Sequence, residues 1–148
     1  MKSFKSIALS IAMFLSFPNV SLGEEFVYGD SILCKNQGKK TYMALSTKEY
    51  NIAICFQGDD CVYDPEGKNL YYYVGQNKQD NSKVFLSAKY NVLDGMEWTE
   101  EWIANNNEYI YRVFHTKKQG GYSTITVLKN GDKVYNSLVR KYIYNCYD

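Results

Sequence analysis

A single histidine, His115, and two arginines, Arg112 and Arg140, are all that this 148-residue chain offers of the side chains most used for proton transfer and phosphate recognition. With one histidine and no Gly-x-Ser-x-Gly elbow, a Ser-His-acid triad has no local signature, and His115 reads as an exposed residue at the end of the strand YIYRVFH. A nucleic-acid partner calls for a clustered basic face, but the lysines are scattered and the formal net charge is +1. Metal-ligand spacing is missing too. There is no Cys-x-x-Cys pair, and the acidic stretch DDCVYDPEG, with Asp59, Asp60, Asp64 and Glu66, lacks the spacing of an EF-hand loop and reads as turn chemistry. No catalytic residue, cofactor or metal is expected.

Long apolar runs are also scarce. The one candidate, Ile7 to Phe17, follows Lys2 and Lys5 and is broken by Pro18, with small residues at Ser21 and Gly23. It is too short for a span of about 20 residues, and its order is that of a secretory signal. The expectation is a signal peptide over 1–23 and one domain over 24–148, secreted or periplasmic, monomeric, and without stable membrane insertion. Loss of Lys2 and Lys5 takes the formal charge from +1 to −1.

All four cysteines, Cys34, Cys55, Cys61 and Cys146, lie in the exported part. An even count in an oxidising compartment predicts two disulfides. Three pairings are possible; the favoured one joins Cys55 to Cys61 across FQGDD and Cys34 to Cys146, the first strand to the last.

What the chain has in quantity is tyrosine, 15 residues beside 7 Phe and 2 Trp. Much of it falls in stretches of period 2. In YNIAICF, Ile52, Ile54 and Phe56 share one face, and KVFLSA aligns Val84 with Leu86. In STITVLKNGDKVYNSLV, Asn130-Gly131 supplies the positive-φ pair of a type I′ hairpin, which predicts Lys129 opposite Asp132 and Val127 opposite Val134. EWIANNNEYIYRVF turns at Asn105 to Asn107, and LSTKEYNI turns near Thr47 to Glu49. Strands are predicted near 31–36, 40–46, 50–56, 70–76, 83–88, 101–105, 108–115, 122–129 and 132–140. The fold class is therefore all-β: a single antiparallel meander of eight or nine short strands forming a small barrel or sandwich. LDGMEWTEEW is expected to hold at most one turn of helix.

The stretch NLYYYV places Tyr71 and Tyr73 on one face and Tyr72 on the other, so three consecutive tyrosines cannot make one platform. One of those faces is a candidate groove for sugar or peptide, the one to which Trp98 or Trp102 contributes. An echo links Asn69, Tyr71 and Tyr73 to Asn107, Tyr109 and Tyr111, which reads as two strands following similar turns. Glu97, Glu100 and Glu101 beside the tryptophans are the residue types of a glycosidase, but a chain this small offers little cleft for a polymer. The longest predicted connection, Lys89 to Glu101, carries Tyr90, Met96 and Trp98; with Trp102 these are the candidate partner-binding residues, aromatic and Met side chains being the composition of a binding hot spot.

In outline, residues 31 to 146 resemble the small exported lysozyme inhibitors of bacteria. Cys34 and Cys146 match that family's early and late cysteines, LSAKY offers Ser87, Ala88 and Tyr90 for its cleft-plugging loop, and WIANNNE offers Trp102 and Glu108 for its hairpin. The resemblance implies an antiparallel barrel closed by an early-to-late disulfide. The chain also resembles other small exported bacterial β-proteins, which share a signal, an Ile-x-Ile-Cys strand and an Asn-turned hairpin. The leading expectation is a non-catalytic exported domain that binds or inhibits a protein or glycan partner in the envelope or outside it. A small-ligand binder using the barrel interior and a lysozyme inhibitor proper are the alternatives, with a glycan hydrolase behind them.

Overall fold

The computed structural model describes residues 31–58, 68–93, 99–139 and 142–144. Nine strands form one sheet: β1 (Lys40–Ser46), β2 (Tyr50–Gln57), β3 (Leu70–Asn77), β4 (Lys83–Val92), β5 (Thr99–Asn106), β6 (Tyr109–Thr116), β7 (Tyr122–Lys129), β8 (Asp132–Val139) and β9 (Tyr142–Tyr144). Strands β1 to β8 pair with their sequence neighbours, and β9 returns to β1, giving the order β8-β7-β6-β5-β4-β3-β2-β1-β9. Only three peptide bonds separate Val139 of β8 from Tyr142 of β9, a reach of about 11 Å, yet these strands occupy opposite edges. The meander is therefore curled into a half-barrel and is not a two-layer sandwich.

Alternation decides which side chains enter the concave face. Met43, Leu45, Ile52, Ile54, Phe56, Tyr71, Tyr73, Trp102, Ala104, Val113, Ile125 and Val139 form one buried cluster. Between Thr41 and Met43 the β1 ladder shifts register, so Tyr42 joins Met43 inside. Tyr72 points outward and stacks on Phe85 at 5.2 Å, as the period-2 argument requires.

The hairpins follow the turn chemistry with one exception. Asn130 and Gly131 have φ of 51° and 89°, and Lys129 pairs with Asp132. A bulge between Val127 and Leu128, however, sets Val127 opposite Tyr135, not Val134. Asn107 takes φ 53° at the β5–β6 turn, and Thr47 closes the β1–β2 turn by accepting at Oγ1 from the Tyr50 N–H at 2.9 Å.

Residues 31–36, expected to be a strand, instead begin with a short helix, α1 (Ile32–Lys35), capped by Ser31, whose Oγ accepts from the Leu33 N–H. The reason is tertiary. Leu33 and Cys34 pack on the convex face against Ala53, Cys55 and Val74, with Tyr72 alongside. Cys34 and Cys55 form a disulfide, which overturns both expected pairings, Cys34 with Cys146 and Cys55 with Cys61. Cys61 and Cys146 lie outside the described residues, as do residues 1–23, expected to be a signal peptide, the acidic stretch Asp59 to Gly67, and Met96 and Trp98.

The predicted loop from Lys89 to Glu101 is mostly strand. β4 continues to Val92 and β5 begins at Thr99, so Tyr90 and Trp102 face each other in a ladder. The part of LDGMEWTEEW that is described, Leu93 and Thr99 to Trp102, contains no helix.

Candidate functional site

The two ends of the concave face differ. At one end the β4–β5 ladder brings a carboxylate inside. Glu100 is 4% exposed and its Oε1 accepts from the phenols of Tyr42 at 2.7 Å and Tyr90 at 2.8 Å. Burial, then the Glu100 charge, pushes the Tyr90 phenol far above its ordinary value, so it remains a donor. Trp102 is 1% exposed and packs on Tyr42 and Tyr90, at centroid distances of 5.2 and 5.5 Å. His115, opposite Glu100 in the β5–β6 register, is fully buried and not the exposed strand-end residue expected. Its Nδ1 lies 3.0 Å from Ser123 Oγ, and burial, helped by the Lys117 charge, pulls its pKa down to about 4.

This end is a plug. Trp102 and Tyr90, two of the four candidate partner-binding residues, are parts of it: Trp102 is buried, whereas Tyr90 is half-buried and also lines a second cleft, of about 350 Å³, with Tyr71, Tyr72, Ser87, Ala88 and Lys89. Ser87 and Ala88 lie with Tyr90 inside β4, not on a loop. Glu100 and Glu101 fall on opposite faces of the sheet, Glu101 turning outward to Arg112, whose Nε donates at 3.1 Å. They cannot flank one glycosidic bond together. Among the described residues no group of three or more His, Cys, Asp and Glu is placed to hold a metal ion.

At the other end four hairpin turns, β1–β2, β3–β4, β5–β6 and β7–β8, ring an open mouth. Below it is a cleft of about 360 Å³. Five tyrosines line it, Tyr50, Tyr73, Tyr109, Tyr111 and Tyr135, contributed by β2, β3, β6 and β8. The rings interlock: Tyr73 and Tyr111 stack at 5.0 Å, Tyr109 lies 6.3 Å from Tyr111, and Tyr50 meets Tyr135 edge-on at 5.1 Å. Ile52, Val84, Ile125, Val127 and Val134 supply the aliphatic lining.

The local sequence explains this space. Ala104 stands opposite Tyr111 across β5–β6, and its small side chain leaves room beside that ring. Gly75 follows Tyr73 on the same face and lets the ring lie back over it; a Cβ there would come within 3.0 Å of the Tyr73 phenol oxygen. Polar groups at the mouth include Asn77 and Ser82. Burial first, then the neighbouring phenols of Tyr111, Tyr50 and Tyr135, holds the Tyr73 hydroxyl far above its ordinary pKa, so it stays neutral. Tyr135 donates from its hydroxyl to Thr47 Oγ1 or Glu49 Oε2, each 3.0 Å away, which anchors β8 to the first hairpin.

Of these five tyrosines the sequence marks only Tyr73, on the face it shares with Tyr71 as a candidate groove, and a further signal exists. The Asn-x-Tyr-x-Tyr echo aligns Tyr73 with Tyr111, the two rings that stack across the cleft. Comparison with known proteins found no matching family model, no similar curated protein and no similar solved structure.

Proposed function

We propose that this chain is an exported, non-catalytic β-domain that captures a small, largely apolar ligand in the tyrosine-lined cleft. The observation that carries the proposal is the cleft itself, about 360 Å³, open at the hairpin end and closed below by packed rings. That size lies in the lower part of the range of about 300–1,000 Å³ typical of small-molecule sites, and an apolar lining with a few polar groups at the rim is their usual chemistry. Export is supported by the signal-like N-terminus and by a disulfide, Cys34–Cys55, of the kind that persists in oxidising compartments. The non-catalytic reading is supported by the chemistry at hand: among the described residues the cleft lining contains no carboxylate or imidazole, and the buried acid Glu100 is held by two phenols at the opposite end. The small-ligand reading stands ahead of binding or inhibition of an envelope protein because Trp102, one of the residues that the latter would use, is buried in the core.

The test is a titration of the purified protein with N-phenyl-1-naphthylamine, a neutral probe that fluoresces in apolar surroundings. Saturable binding to one site, weakened at least tenfold by Tyr111→Ala with the fold intact by circular dichroism, is the expected result. Absence of saturable binding, or binding untouched by Tyr111→Ala, would reject the cleft as the site.

A further inference from the structure

The convex face of the sheet is uneven in charge. No aspartate or glutamate occurs in α1, β2, β3 or β4. Strand β4 alternates without a break: Val84, Leu86 and Ala88 pack against the core, while Lys83, Phe85, Ser87 and Lys89 are exposed on the outer side. Phe85 stacks on Tyr72 of β3 with the ring planes 10° apart, and Lys39 Nζ lies 5.0 Å from the centre of the Tyr72 ring. Leu70, two residues before Tyr72 and on the same side of β3, is 60% exposed. On α1, Leu33 and Cys34 are buried against the sheet, which leaves Ile32 and Lys35 exposed, three residues apart on one side of the turn.

Three of the five large apolar side chains exposed among the described residues, Ile32, Leu70 and Phe85, therefore belong to this face. Apolar groups gathered in water mark a contact surface. Among the described residues no carboxylate pairs with Lys35, Lys83 or Lys89. The surface bulges outward, so its ring edges and aliphatic tips enter a partner and do not enclose one. A second copy placed against it would set lysines against lysines. A bilayer with anionic headgroups fits both features: apolar tips reach the boundary of the acyl chains, lysine ammonium groups stay among the phosphates, and no acid on these elements meets like charge.

We infer that the convex face of α1 and β2 to β4 docks on a membrane surface rich in anionic phospholipid, with Leu70 and Phe85 at the acyl boundary and Lys83 and Lys89 among the headgroup phosphates. This goes beyond ligand capture. It uses the side of the sheet opposite the tyrosine-lined cleft, so neither reading depends on the other.

Sedimentation with lipid vesicles tests it, using phosphatidylcholine alone and phosphatidylcholine mixed with an equal share of phosphatidylglycerol. The protein should bind the mixed vesicles at least about tenfold more tightly than the neutral ones. A lysine at an anionic surface contributes roughly fivefold in affinity, so Lys83→Gln combined with Lys89→Gln should weaken binding to the mixed vesicles about twenty- to thirtyfold. Lys118→Gln combined with Lys133→Gln removes the same charge at exposed positions outside this face, beyond the reach of screened charges, and should change binding by at most about twofold. The apolar run of residues 7–17 is common to every variant, so its own affinity for lipid cancels in these comparisons. Phe85→Trp reports depth: with acyl chains brominated near the headgroup, its emission should be quenched beyond that of the wild type. Circular dichroism checks that each variant is folded. Equal binding by the two lysine pairs, or a Phe85→Trp emission quenched no more than the wild type's, overturns the inference. So does failure to bind the mixed vesicles, whether the face then holds a second copy, seen as a dimer by size exclusion, or a sulfated glycan, seen as retention on heparin.

Discussion

The Tyr73 ring lies over Gly75, two residues further along the same strand, so closely that a Cβ on Gly75 would stand 3.0 Å from the phenol oxygen and 3.1 Å from Cε1. Gly75→Ala should therefore push the ring toward Tyr111 and narrow the cleft, while the backbone, which is not in the left-handed region, accepts alanine. The expected outcome is a loss of probe affinity of several-fold with a stability change within about 1 kcal/mol. Parallel probe titration and urea denaturation check it.

Gly131 is the opposite case. A Cβ there meets nothing within 4 Å, but φ is +89°. Gly131→Val is thus penalised by backbone conformation alone, by about 1–3 kcal/mol for a β-branched residue at positive φ. It should lower the urea midpoint more than Gly75→Ala does. Equal midpoints for the two variants would contradict the turn.

His115 makes stability depend on pH. An unfolded histidine titrates near 6.5, whereas the buried ring titrates at about 4. Between these values the unfolded chain holds the extra proton. The contribution is fully present above about pH 6.5, is lost as pH falls toward 4, and is flat below that, amounting to up to about 3 kcal/mol. Urea midpoints at pH 7 and pH 4.5 should differ less in His115→Gln than in the wild type. The carboxylates titrate in both proteins, so the difference between the two isolates the histidine.

The Cys34–Cys55 bridge closes a loop of sequence separation 21, which on the chain-entropy model stabilises the fold by about 3 kcal/mol. Peptide mapping without reduction should recover these two cysteines in one linked species, and Cys34→Ala should lower the denaturation midpoint accordingly. A Cys34–Cys146 peptide would contradict the structure.

Tyr90→Phe removes one of two phenol donors from a buried carboxylate and should cost about 1–3 kcal/mol. Trp102→Ala empties a core position and should cost about 3–5 kcal/mol. Neither residue touches the cleft at the mouth, so neutral-probe affinity should hold for whatever fraction stays folded. Stability and binding measured on the same samples separate a core role from a contact role.

The strands were legible because their causes are local. The alternation of Ile52, Ile54 and Phe56 and the Asn130-Gly131 pair act within a few residues, and β2, β7 and β8 follow them closely. Three features were not legible because their causes are distant. The helix at Ile32 depends on a disulfide to β2, and the short β9 exists through its pairing with β1. The Val127 bulge brings Tyr135 to face Tyr50 of another hairpin. His115 shares its parity with Tyr111 and Val113, so alternation alone places it inside; its polar chemistry argued the other way and lost. The cleft is the extreme case. Each tyrosine is an ordinary strand residue, and only curling of the sheet brings rings from four strands together.

The strand order also bears on how the chain reaches its native state. From β1 to β8 each new strand docks on the one made just before it, so the ladder can lengthen as the polypeptide emerges, with little loop-closure entropy at any step. The pairing of β9 with β1 is the exception, since Met43 meets Tyr144 near opposite ends of the described chain. That step cannot precede arrival of the C-terminal segment. Until then the edge of β1 stays unpaired, and a sheet with an open edge and an uncovered apolar face is the species of this chain most exposed to aggregation.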